Sequence, residues 1–195
     1  MSNIPLEGNT DLIACVGTNG NPSTRHYAFG FLNAADVLLE QQRMRYPKRP
    51  KYPPDYMVYP ICFNIRHGIE ISLKYFLDKV AFLAELRNLD SSVETTHSHN
   101  ISELWACYLE VVSELDARLS SLARTLDRYI SPWADIDATG QTFRYAVSND
   151  TTKHLNDYST IDLLKVSLNL ESLKTHLEDK LLPLEIFSDS TNDNL

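Results

Sequence analysis

The sequence predicts an all-α fold, with a four-helix bundle as its leading architecture, and two observations carry that prediction. Leucines and other apolar residues recur at steps of three and four through four separate segments, the spacing of a helix with one buried face. Glycines number only six in 195 residues, too few for the turn-rich chain of a β-sandwich. Hydrophobic residues at 43% and charged residues at 23% are ordinary for one globular domain, and a chain of this length buries a substantial core. The expected organisation is a flexible lead-in over residues 1–22, a single helical domain over 23–187 and a disordered tail over 188–195.

The lead-in is rich in Asn, Gly and Thr around a short apolar run at residues 12–16, which reads as a brief strand or as an arm packed on the domain. Pro22, Ser23 and Thr24 then offer an N-cap for a first helix. In it Tyr27, Phe31, Ala34, Ala35, Leu38 and Leu39 keep helical spacing, and it ends near Arg43. Five of the nine prolines, Pro47, Pro50, Pro53, Pro54 and Pro60, fall within fourteen residues. Each removes an amide donor and fixes φ, so a long connection results. The second helix either takes Asp55 as its cap or starts at Pro60, and it runs to about Arg87. Asn100 followed by Glu103 is a capping-box pattern, in which Asn100 accepts from first-turn amides and Glu103 reaches back. The third helix is expected to carry Ile101, Leu104, Trp105, Tyr108, Leu109, Val112, Leu115, Leu119, Leu122 and Leu126 on one face for seven turns and to stop before Pro132. Residues 142–147, TFRYAV, alternate as a short extended piece. Ser159 or Thr160 caps a last helix, which bears Ile161, Leu164 and Leu168 on one line, and Leu163, Val166, Leu170, Leu173 and Leu177 on the adjacent one. Pro183 is expected to end it.

The net charge of −8 excludes a protein whose whole surface grips nucleic acid, because phosphate binding needs a local excess of Lys and Arg. One local patch is available. Arg43, Arg45, Lys48, Arg49 and Lys51 place five of the 18 basic residues within nine positions, interleaved with Tyr46 and Tyr52, and the same run also fits a solvated loop. Cys15, Cys62 and Cys107 are far apart and form no CxxC pair, so neither a disulfide framework nor a zinc site is indicated and a reducing cytoplasm is expected. There is no charged and then apolar leader pattern, and no run of about 18 apolar residues, so a soluble protein away from membranes is expected.

The densest set of functional side chains lies on residues 59–77, YPICFNIRHGIEISLKYFL. Ile65, Ile69, Leu73 and Phe76, with Ser72, make a core stripe there. Arg66, Glu70 and Lys74 make a second stripe at i, i+4 and i+8, with His67 beside it and Asn64 one turn away. Gly68 leaves room for a close neighbour, at a helix-propensity cost of about 1 kcal/mol. The spacing of the polar stripe fits a surface salt-bridge ladder worth a few tenths of a kcal/mol per pair, and it also fits a polar site. His97 and His99 stand just before a helix N-terminus, where imidazole serves as acid, base or anion ligand. No acidic or Cys partner accompanies them at a spacing such as HExxH, so no metal is assigned. Alternation turns Arg144 away from Phe143 and Tyr145, either to bury against Glu70 or to point into a site. No GxGxxG, P-loop or GxSxG elbow is present and no cofactor is expected. Cys62 and Cys107 lie in apolar helical surroundings unsuited to a nucleophile, and Trp105 and Trp133 read as core.

Taken together, YPICFNIRHGIEISLKYFL, then HSHNISELW, then TFRYA ahead of a last helix opening with IDLLKV, resemble the HEPN superfamily. These are all-α domains built on a four-helix bundle and common in bacterial toxin–antitoxin, phage-defence and RNA-processing systems. The resemblance covers roughly residues 55–182 and implies a homodimer that engages RNA. Ribonuclease members carry an Arg about four to six residues from a His, and two copies meet across the dimer to cleave RNA without metal. No arginine here has a His at that distance; Arg87 to His97 and Arg144 to His154 are both too far.

Two readings follow. In the first, RNA or a nucleotide is engaged by a site assembled non-locally from Arg66, His67, His99 and Arg144. Glu70, Lys74 and Asn64, with the basic residues Arg43, Arg45, Lys48 and Arg49, are the binding candidates. If that site cleaves, His takes the 2′-hydroxyl proton and Arg stabilises the phosphorane charge. In the second, the chain is a non-catalytic module that dimerises or holds a protein partner. Binding is expected over cleavage.

Overall fold

The computed structural model describes residues 22–45, 52–89, 97–148 and 151–192, apart from the side chains of Arg45 and of residues 180–192. The chain is all-α. Among the described residues it forms six helices: α1 (Thr24–Arg45), α2 (Pro54–Leu86), α3 (Ile101–Leu115), α4 (Ala117–Arg124), α5 (Asp127–Asp137) and α6 (Leu163–Asn192). None of them is long and apolar enough to cross a membrane.

The axis of the structure is α2, which packs against α1, α3, α5 and α6. A helix enclosed on several sides has to be apolar around most of its circumference. Ile61, Cys62, Ile65, Ile69, Leu73, Phe76, Leu77, Val80, Leu83 and Ala84 are accordingly buried, and the expected core stripe lies within this set. Burial among these groups pushes the Cys62 thiol up to about 12, which suits an inert core cysteine. The helix starts at Pro54, with Asp55 in its first turn and Pro60 inside it, so neither the Asp55 cap nor the Pro60 start is used. It ends at Leu86, and just beyond it Asn88 takes the left-handed conformation (φ 53) while the Leu89 amide bonds back to the Ala84 carbonyl. On α1 the buried line is Ala28, Leu32, Ala35 and Leu39, whereas the expected Tyr27 and Ala34 are exposed. Gly68 lets these two helices close: a Cβ there would stand 2.6 Å from Leu32 Cδ2.

The expected seven-turn third helix is instead α3, α4 and α5. Asp116 is extended (φ −163, ψ 129), and its carboxylate accepts from the Arg118 and Leu119 amides, which caps a new helix where the old one would have continued. The break exposes the last carbonyls of α3, and Arg87 Nη1 takes up that of Leu115 at 2.6 Å. Leu119 and Leu122 therefore lie on α4 and Leu126 just before α5, and Leu122 is exposed.

The prolines expected to end helices, Pro132 and Pro183, lie inside α5 and α6; each deletes one intrahelical bond and the rest carry the helix on. Continuation of α6 to Asn192 makes the first part of the expected tail helical. Asp162, not Ser159 or Thr160, accepts from the first-turn amides of α6, those of Leu164 and Lys165. Its buried line is Ser167, Leu170, Leu173 and Leu177, while Leu164 and Leu168 face outward. Residues 142–144 form a turn rather than an extended piece, and among the described residues pairing is confined to one antiparallel bridge between Val147 and Lys153. The lead-in up to residue 21 lies outside the described residues.

Candidate functional site

The polar stripe of α2 is internal, not a surface ladder. Arg66 is 2% exposed and Glu70 3%. The Arg66 guanidinium forks across three elements: Nε donates to the Asp137 carbonyl at 3.0 Å, Nη2 to the carbonyls of Ala138 and His99, and Nη1 to Glu70. The Asp137 and Ala138 carbonyls end α5, where orphan acceptors and the negative end of the helix dipole favour a cation. The Ala138 carbonyl also accepts from the Ile101 amide, so one guanidinium joins the start of α3, the end of α5 and the middle of α2.

The close approach needs Gly140. Its φ is +78, in the region open to glycine, and a Cβ on it would sit 2.8 Å from Arg66 Nη1. Asp137 shapes the same turn, with Oδ1 accepting from the Gln141 and Thr142 amides at 2.9 and 3.1 Å.

Around Glu70 the remaining partners are Lys74, with Nζ 2.9 Å from Oε1; His99, with Nδ1 2.8 Å from the same oxygen; and His67, with Nδ1 3.6 Å from Oε2. Burial by itself would raise the Glu70 pKa. The bonds from His67, Lys74 and His99 and the charge of Arg66 outweigh that and hold the carboxyl well below the usual carboxylate range. An ionised Glu70 only accepts, so His99 Nδ1 is the donor.

The expected cluster of Arg66, His67, His99 and Arg144 is thus brought together in part. Arg66, His67 and His99 meet at Glu70. Arg144 does not; it is exposed and lies over the rings of Phe63 (5.9 Å) and Tyr145 (5.4 Å), on the same side as one aromatic neighbour rather than opposite both. Phe63 in turn stacks on His67 at 5.6 Å, and Phe31 meets His67 edge-on at 4.5 Å. Arg144, Phe63 and His67 therefore form a cation and aromatic stack beside the sealed Arg66–Glu70 pair. Asn64 bonds to the Pro60 carbonyl of its own helix at 2.7 Å and His97 is exposed, so neither joins the cluster. Arg43 lies 3.8 Å from Glu40 on α1. The Arg45 side chain, Lys48, Arg49 and Lys51 lie outside the described residues.

Around the cap of α3, Asn100 Oδ1 accepts from the Ser102 amide at 3.0 Å as expected. Glu103 binds the Asn100 side-chain amide and the Ser98 hydroxyl, while the Ser98 oxygen takes the Asn100 backbone amide that Glu103 was expected to reach. This brace fixes the backbone that presents the His99 carbonyl to Arg66.

Asp137, Ala138 and Gly140 were not expected at the site. The only local sign is a glycine closely following a helix end. Among the described residues no three His, Cys, Asp or Glu side chains are grouped to hold a metal ion. Comparison of the chain with protein-family models, with curated proteins and with solved structures finds no match.

Proposed function

We propose that this protein is a HEPN-like helical module that binds single-stranded RNA without cleaving it by the usual HEPN mechanism. The observation that carries this reading is the division of labour between its arginines. Arg66 gives its donors to Glu70 and three main-chain carbonyls inside the fold, whereas Arg144 stands exposed on an aromatic ring. A guanidinium, an aromatic ring and an imidazole in one stack suit unpaired bases and their phosphates, since stacking tolerates any base and the cation meets the backbone. The likeness of the sequence to HEPN domains supports the same reading. The homodimer and the setting in toxin–antitoxin or phage defence that this likeness implies are part of the proposal.

The test is fluorescence anisotropy of a labelled single-stranded RNA at two salt concentrations, with Arg144→Ala beside the wild type. The expected result is salt-dependent binding weakened about tenfold or more in the variant. Absence of binding by the wild type at low salt refutes the reading.

A second reading, a metal-independent endoribonuclease, is favoured by one observation. Glu70 holds His99 Nδ1, which orients Nε2 as a base for the 2′-hydroxyl, and Lys74 is the adjacent cation. It requires RNA cleavage in EDTA that is lost in His99→Ala.

A further inference from the structure

A cavity of about 460 Å³ lies between Tyr59 of α2 and residues 142–146 and 153–155, within the range of small-ligand sites. Tyr59, Arg144, Tyr145, Lys153 and His154 line it. Tyr59 is 48% exposed and Tyr145 52%, the latter with the Arg144 guanidinium over its ring. The Arg144 guanidinium and the Lys153 ammonium have no carboxylate partner among the described residues, and no Asp or Glu lines the cavity. In a chain of net charge −8, two cations lining one cavity with no acid among its described lining residues mark a place with an excess of positive potential. His154 Nε2 is buried and has no hydrogen-bond partner among the described residues, an exception to the rule that buried polar atoms are paired.

The backbone that brings these groups together is unusual. Thr151 (φ 67) and Leu155 (φ 60) both adopt the left-handed conformation, rare for side chains of their kind. Val147 and Lys153 pair in an antiparallel bridge, and Lys153 lines the same cavity as Arg144.

We infer that this cavity is a site for the phosphate monoester of a nucleotide, with the phosphate held by Arg144 and Lys153 and the base laid against Tyr59 or Tyr145. Two cations with no carboxylate partner among the described residues match the double charge of a terminal phosphate better than the single charge of an internal phosphodiester. A tyrosine wall asks for a flat ring rather than a bare anion. The same chemistry is offered by a phosphorylated RNA end and by a free nucleoside monophosphate. The inference rests on the RNA-binding reading only for the first of these.

The experiment uses the full chain and its Lys153→Ala and Tyr59→Ala variants, each checked for unchanged helicity by circular dichroism. The probes are single-stranded RNA with terminal phosphates, the same RNA with hydroxyl ends, adenosine monophosphate and inorganic phosphate. The expected result is about tenfold tighter binding of the phosphorylated RNA than of the hydroxyl-ended RNA. Lys153→Ala should erase that difference, and Tyr59→Ala should weaken adenosine monophosphate but not inorganic phosphate. Equal affinity for both RNA ends, together with no effect of Lys153→Ala, overturns the cavity and leaves RNA binding standing. Binding of adenosine monophosphate without RNA supports the cavity and overturns the RNA reading. Inorganic phosphate competing as well as adenosine monophosphate overturns the nucleoside part of the inference.

Discussion

Replacing Arg66 with Met keeps an unbranched apolar stem and removes the guanidinium, with its charge and every donor. Left behind in the core are the Asp137 carbonyl, the His99 carbonyl, one of two bonds to Ala138, and a Glu70 with one partner fewer. Breaking a buried ion pair from one side costs about 3–5 kcal/mol, and an unsatisfied buried acceptor adds about 1–3 kcal/mol where water cannot reach it. These overlap, so the expected loss is about 3–5 kcal/mol, a large part of the 5–15 kcal/mol that is typical of a domain. For a chain of this size that corresponds to a fall in Tm of roughly 6–20 °C. Urea unfolding followed by the fluorescence of Trp105 and Trp133, both buried, measures it. The double variant Arg66→Met/Glu70→Met should recover only part of the loss, because the carbonyls stay unpaired whichever carboxylate is removed. Arg66→Lys should fare little better than Met, since one ammonium cannot fork across three elements. A stability change below about 1 kcal/mol in Arg66→Met, together with loss of RNA binding, would refute the account of Arg66 as an internal tie.

Three further outcomes follow from the same geometry. The folded-state pKa of Glu70 is depressed, so its contribution to stability is fully present above the unfolded carboxylate value of about 4.3 and is lost as pH falls from there. Urea midpoints of the wild type should drop between about pH 5 and pH 3 more steeply than those of Glu70→Gln, and parallel profiles would contradict the assignment. Gly140→Ala places a Cβ against Arg66 at a positive φ and should cost more than about 1 kcal/mol, while Gly30→Ala, within α1 and with nothing within 4 Å, should stabilise by about 0.5–1 kcal/mol. Gly68→Ala should cost about 1–3 kcal/mol by thermal denaturation, and Leu32→Ala in the same chain should make that cost smaller; equal costs in both backgrounds would show that Leu32 is not what Gly68 accommodates.

The helical class, the core stripe of α2 and the Asn100 cap were legible because each depends on residues within a turn or two of one another. The expected seven-turn helix failed at Asp116, where a short carboxylate offers the next amides an alternative to the helix, and apolar spacing does not register that competition. The polar stripe was legible as a pattern but not as a place. The i, i+4 spacing of Arg66, Glu70 and Lys74 is the same on a surface as in a core. Which of the two it is depends on α1, α3, α5 and α6 enclosing α2.

What the sequence determined by itself was therefore the local part: an all-α chain, most of the helices, and the set of charged and imidazole side chains gathered on α2. Only the tertiary structure decided that Arg66 is a tie and that Arg144 stands apart from it. The physical reason lies in the partners. Arg66 is held by main-chain carbonyls of residues 99, 137 and 138, and a carbonyl is present at every position, so no residue type announces it. Arg144 is placed by the turn after α5 against Phe63, a contact set by the fold and not by spacing along the chain.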